Sequence, residues 1–222
     1  MQQLTTASGY DDDYWVVNPS YFIIANLELF KEFEQNEGLP QHDWDLVIEG
    51  CTNIMKRYVS YDKGLQPDWM DFYGRPILKS GKTPVNYKYD MYKDAIRVPW
   101  RMATYKLWYD GSYVEEYLTN AVNFVWNNKD GLYYYSDGSY YLDYADNPIF
   151  DATGVAMWGT LFMVADSATT EQKTFWEDAL QNKLLTDAYG DYYVSGERRY
   201  YENALATFAA IMYSGRFAKI YP

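Results

Sequence analysis

An acid and a guanidinium stand three residues apart at Asp94 and Arg97, inside the stretch DMYKDAIRVPWRMATY that covers residues 90–105. Helical positions three apart share a face, so the two side chains project together. Taken alone, the two residues read as a surface ion pair beside a kink, a contact worth little by itself. The difficulty is Pro99, which falls where the middle of a helix should be. Proline there removes a backbone hydrogen bond and clashes with the preceding turn, at a cost of ~3 kcal/mol. Either a turn begins at this point or the kink is wanted.

Other chemistry is thinly supplied. His42 is the only histidine, so a Ser-His-Asp or Cys-His arrangement would have to use it as its base, and no Ser or Cys motif accompanies it. It follows GLPQ near a helix start and reads as a loop or capping residue. Cys51 is the only cysteine, which excludes an intrachain disulfide and a thiolate metal cluster. Its neighbours Leu46, Val47, Ile54, Met55 and Tyr58 recur at helical spacing, the setting of a buried structural thiol. No metal and no cofactor is expected.

Aromatic residues are the abnormal feature: 26 Tyr, 8 Trp and 10 Phe in 222 residues. Tyr and Trp pair an apolar face with a polar edge, which suits the C–H faces and hydroxyl rims of sugar rings. Nucleic-acid bases also stack on aromatics but need a positive groove, and 19 basic against 31 acidic residues leave a net charge of −12. That charge repels phosphate backbones and anionic lipid, so neither nucleic acid nor a membrane is an expected partner. No window approaches the roughly 18 consecutive apolar residues of a membrane span. The opening MQQLTTASGYDDDYW has neither a basic n-region nor an apolar core, so no export signal is visible in it.

Positioning these residues requires helices. Periodicity and caps predict seven: residues 18–35, where Asn18 caps, Pro19 takes the first position and Phe22, Leu29, Phe30 and Phe33 form an apolar face; 43–59; 92–109; 112–128; 147–166, capped by Asn147 and Pro148; 169–185, capped by Thr169 or Thr170; and 200–217, stopping at Gly215. Two tyrosine-rich segments, GLYYYSDGSYYLDY and GDYYVSGERRYYE, carry Ser/Asp-Gly turns and read as short β-hairpins at helix ends. The longest stretch without helical pattern, residues 62–90, is of a length usually functional in a compact domain. No composition break marks a linker. Residues 1–222 read as a single all-α domain of antiparallel helix pairs, as in a toroid.

Four motifs now stand in order: NPSYF (18–22), GLQPDW (64–69), DAIRVPWR (94–101) and YYENALATFAAIMYSGRF (200–217). With them the chain resembles glycoside hydrolase family 8, formerly cellulase family D, from about Trp15 onward. The resemblance implies an (α/α)6 barrel and inverting hydrolysis of a β-1,4-linked polysaccharide of glucan, xylan or chitosan type. It implies Asp94 as general base, Arg97 holding the attacking water, and Pro99 as an accepted kink. Trp15, Tyr21, Tyr92, Tyr200 and Tyr201 become candidate substrate-binding residues. There are departures: Lys93 stands where members often carry an aromatic, with Tyr92 one position away, and Asn26 and Leu27 replace a further aromatic pair. By the same resemblance the protein is expected to be secreted or periplasmic.

An inverting glycosidase needs a second carboxyl, protonated, about 6.5–9.5 Å from the base. The family's acid lies in an N-terminal S-E-G-M-G-type motif, and neither that motif nor the later A-S/T-D-x-D motif occurs in these residues. Glu28, Glu32, Glu34 and Glu49 fall on polar helix faces, where solvated surface is the expectation. The chain therefore corresponds to about the C-terminal half of the barrel. It is expected to expose an apolar seam, to need the N-terminal half, in the same gene product or a second chain, or self-association, and to be inactive alone. The alternative is a half-barrel that binds glycan without cleaving it.

Overall fold

The computed structural model describes residues 5–6, 15–58, 60–75, 94–129, 152–182, 185–186, 192–193 and 200–219. Seven α-helices lie among them: α1 (Ile24–Asn36), α2 (Trp44–Lys56), α3 (Val98–Trp108), α4 (Glu115–Asn128), α5 (Ala152–Val164), α6 (Thr170–Gln181) and α7 (Tyr200–Tyr213). Alternate helices form a row, α1 against α3, α3 against α5 and α5 against α7. The even helices back it: α2 packs on α1, α4 on α3 and α5, and α6 on α5. The short connections within α1–α2, α3–α4 and α5–α6 reverse the chain, so each pair is an antiparallel hairpin. This is the expected mostly helical architecture of stacked helix pairs.

The middle of the row is dry. α5, with the sequence ATGVAMWGTLFMV, is apolar all round, the pattern of a helix surrounded by protein. Its Val155, Ala156, Met157, Trp158, Leu161 and Phe162 are all buried. Gly159 sits where α7 closes on it: a Cβ there would collide with the Tyr213 hydroxyl, which donates to the Val155 carbonyl at 3.2 Å.

A small antiparallel sheet of β1 (Thr5–Thr6), β2 (Trp15–Val17) and β3 (Met70–Asp71) was not legible in the pattern; Val16 pairs with Asp71 and Val17 with Met70. Gly64 stands between the sheet's last strand and the turn before it. Its φ of +71° ends the 3-10 turn Tyr61–Lys63, and its bare Cα lies against Ala121 of α4.

Three expectations need correction. The helix drawn from Asn18 is broken: Asn18 caps a 3-10 turn, Pro19–Tyr21, and the α-helix begins only at Ile24. The cause is Asn18 itself, whose side chain engages Ser20 and closes the turn locally. The helix drawn through Pro99 instead begins beside it. Ala95–Arg97 is a 3-10 turn and Val98 opens α3, so Pro99 lies in the first turn, where its missing N–H costs nothing. Tyr192–Tyr193 (β5) pairs with Leu185–Thr186 (β4), and the strand expected beyond Ser195–Gly196 lies outside the described residues. Phe30 and Phe33 are half-exposed, whereas Glu34 is buried. The hairpin expected at 131–144 and the Asn147–Pro148 cap lie outside the described residues.

Candidate active site

The site is assembled where β2, β3, α3 and α7 begin or end. β2 leaves the sheet at Val17 and runs into buried Asn18, whose Oδ1 accepts from the Ser20 N–H at 3.0 Å and the Ser20 hydroxyl at 2.6 Å. With its proton committed there, Ser20 Oγ turns a lone pair to Arg97, which donates from Nη2 at 2.8 Å. The same Nη2 donates to Asp94 Oδ1 at 2.6 Å, and Nε donates to the Asp94 carbonyl at 3.2 Å. The guanidinium carbon stands 5.1 Å from the Tyr21 ring centre, a cation–π contact. Arg97 is therefore held both by Asp94 three residues before it and by Ser20, 77 residues upstream.

Asp94 is treated differently. Its Oδ1 is pinned by Arg97, but Oδ2 accepts no hydrogen bond from the described residues, and the side chain is 25% exposed. Its backbone N–H and that of Ala95 donate to Asp68 Oδ1, at 3.2 and 2.8 Å. One helical turn beyond Arg97 lies Arg101, stacked 4.2 Å over the Trp100 ring. Burial, with the Arg97 charge adding to it, pulls the Arg101 pKa down to about 10.

Tyr201 opens α7 in the field of the same charges. Burial pushes its hydroxyl up to about 12, with Arg97 opposing and Asp94, Asp68 and Glu202 adding. It is a neutral O–H at physiological pH. Of the expected binding residues, the structure brings Tyr21 and Tyr201 to the Asp94–Arg97 pair. Tyr200 is adjacent in sequence but points outward, 84% exposed. Trp15 is placed only by its backbone in β2, and Tyr92 lies outside the described residues.

Asn18, Ser20, Asp68 and Arg101 were not picked out as site residues, although each sits inside a quoted motif. Their roles depend on contacts far apart in sequence. Cys51 packs against the core as expected, and burial pushes its thiol up to about 11, so no thiolate is available. His42 is a loop residue, as expected, bound to Glu34. Among the described residues no group of His, Cys, Asp and Glu could hold a metal ion, and no helix is long and apolar enough to cross a membrane.

A carboxylate with one oxygen fixed and the other open can take a proton from a water at that open edge. A partner acid is harder to find. Burial raises the Glu28 carboxyl, but Glu28 lies on α1 beside Lys31 and Tyr105, not against Asp94 or Arg97.

Comparison with known proteins agrees with this architecture. Endoglucanase C of Ruminiclostridium cellulolyticum is 28% identical over 211 residues, covering 93% of this chain and 39% of that protein. Endoglucanase 2 of Ruminiclostridium josui is 28% identical over 218 residues, covering 94% and 41%. The chain thus spans about 40% of the length of these relatives. The structure of Rex8A from Paenibacillus barcinonensis, complexed with xylose, superposes with a TM-score of 0.65 at 20% identity, over 93% of this chain and 50% of that one. The helical row is thus about half of that barrel. The sequence profile of glycosyl hydrolases family 8 matches residues 4–213, and the chain belongs to that family.

Proposed function

We propose that the chain works as one domain supplying the general-base half of an inverting glycosidase acting on a β-1,4-linked polysaccharide of glucan, xylan or chitosan type. The observation that carries this is the asymmetry of Asp94: Oδ1 is tied to Arg97, while Oδ2 accepts no hydrogen bond from the described residues and the side chain is partly exposed. In such a reaction Asp94 Oδ2 takes a proton from water as the oxygen attacks the anomeric carbon, and Arg97 keeps the carboxylate turned toward that water. The aglycone oxygen departs with a proton from a second carboxyl about 6.5–9.5 Å away. That acid comes from the N-terminal half of the barrel. Tyr21 and Tyr201 supply aromatic surface and a hydroxyl for sugar rings.

The row of helices also fits a partner. Its ends carry half-exposed apolar residues, Phe30, Phe33, Leu46 and Val47 on α1 and α2, and Phe208 and Ile211 on α7. These are the faces that adjoining helix pairs of a closed toroid would cover, from the N-terminal half or a second copy. A polysaccharide too large for import places the assembled enzyme outside the cytoplasm. The half-exposed Tyr21 and fully presented Tyr200 favour, as a second reading, glycan binding without cleavage by this chain alone.

The test is reducing-sugar release from β-glucan, xylan and chitosan by the 222-residue chain, with and without an N-terminal family 8 half. Release only with both halves is expected. Robust turnover by this chain alone would place the general acid within it and overturn the half-site reading.

A further inference from the structure

The motif GLQPDW supplies no reacting group to the chemistry above, yet its aspartate ties the Asp94 turn to the segment that leads into β3. We propose that Asp68 is a positioning residue for the Asp94 base: its carboxylate clamps the backbone amides of Asp94 and Ala95 and so sets where the base points. This rests on the general-base reading of Asp94.

The turn that carries Asp94 has no cap of its own. Neither Asp94, which precedes the 3-10 turn, nor Arg97, which precedes α3, makes a side-chain cap, and Pro99 has no N–H to offer. The Asp94–Arg97 pair cannot substitute, because both residues lie on the turn and move with it. Asp68 Oδ1 accepts two of the orphan N–H groups at once, at 3.2 and 2.8 Å, from 26 and 27 residues upstream. A carboxylate on the amides at a helix start is favoured by the dipole as well as by the hydrogen bonds.

Asp68 is itself well anchored. Before it, Leu65 and Gln66 are buried, the Leu65 N–H donates to the Ser60 carbonyl at 3.2 Å, and Gln66 Nε2 donates to the Met55 carbonyl at 3.3 Å. After it, Met70 pairs with Val17 in the sheet. Val17 is followed directly by Asn18, whose turn presents Ser20 to Arg97. One strand pair therefore gauges both halves of the ion pair, β3 locating Asp94 through Asp68 and β2 locating Arg97 through Ser20. A shift of the turn would leave the pair intact but aim Oδ2 elsewhere, and misplacement of about 1 Å can cost 10²-fold in rate.

Asp68→Asn keeps an oxygen acceptor and Asp68→Ala removes it. Amide hydrogen exchange on the isolated chain should show the Asp94 and Ala95 amides exchanging about tenfold faster or more in Asp68→Ala, near parent rates in Asp68→Asn, and the Val17 and Met70 amides unchanged in both. In the assembled enzyme kcat should fall about tenfold or more in Asp68→Ala with KM within about twofold, and Asp68→Asn should restore most of it. The proposal is overturned if exchange at both amides is unchanged in Asp68→Ala, if kcat stays within about twofold, or if Asp68→Asn is as impaired as Asp68→Ala. Failure of the base reading looks different: Asp94→Asn would remain active while the clamp still appeared in amide exchange.

Discussion

Two carboxylates in this molecule share a description and differ in what they can do. Glu34, near the end of α1, is buried and Asp94, at the start of α3, is half-buried, and each faces a nitrogen-bearing side chain. Glu34 has both oxygens engaged: Oε2 accepts the His42 N–H at 2.9 Å and the Trp44 indole N–H at 2.8 Å, while Oε1 meets His42 Nδ1 at 2.6 Å. Asp94 has one oxygen engaged and one that accepts no hydrogen bond from the described residues. The first acid staples the α1–α2 loop; the second has acceptor capacity left for a reacting water. Burial and a nitrogen-bearing neighbour do not distinguish a structural acid from a reactive one, whereas an oxygen that the other described residues leave unbonded does.

The largest effect should come from making the two acids neutral. Asp94→Asn in the assembled enzyme removes the proton acceptor at constant size, and turnover should drop about 10²–10⁴-fold while glycan affinity, measured by calorimetry, persists. Glu34→Gln should leave kcat within about twofold. Equal losses in both variants would erase the distinction.

Removing the cation beside Asp94 should have an intermediate effect. Arg97→Ala frees the Asp94 carboxylate to rotate and leaves Ser20 without its donor. We expect kcat to fall about tenfold and, by denaturant titration, a stability loss of about 1–2 kcal/mol, the range of charge-assisted hydrogen bonds discounted for partial exposure. Loss of stability without loss of kcat would return the pair to a purely structural role.

The smallest effect should be the acid response of Glu34. The His42 N–H bond, with those from Trp44 and the His42 ring, holds its carboxyl below the usual carboxylate range. A folded-state pKa below the unfolded one contributes stability that is present above the unfolded value and lost as pH falls through the folded one. Thermal melts from pH 6 down to 3 should therefore fall less steeply for Glu34→Gln than for the parent chain. Parallel curves would show that the three donors do not hold the ionised form.

The seven helices among the described residues, a threonine cap on α6 and the pairing of Asp94 with Arg97 were all legible, because each depends on local patterns of residues; that the cap is Thr169, boxed with Gln172, was decided by the structure. The surface assignment of Glu34 and the core assignment of Phe30 and Phe33 failed for a common reason. Helical periodicity marks faces, but not which face a neighbour covers, and α1 lies at one end of the row. The break after Asn18 was missed because Asn-Pro is also a regular helix start, and only the Asn18–Ser20–Arg97 relay shows why the turn stays separate.

The sequence by itself determined the helical class, the family motifs and the Asp94–Arg97 pair, since periodicity, capping and i,i+3 spacing are local properties that a chain carries into any context. Only the tertiary structure decided that one oxygen of Asp94 stays clear of the other described residues, that Ser20 reaches Arg97 across 77 residues and that Asp68 reaches the Asp94 amide across 26. Those contacts exist because β2 pairs with β3 and sets Asn18 and Asp68 on either side of one helix start. Such closure is fixed by strand register and core packing, which no short window of residues contains.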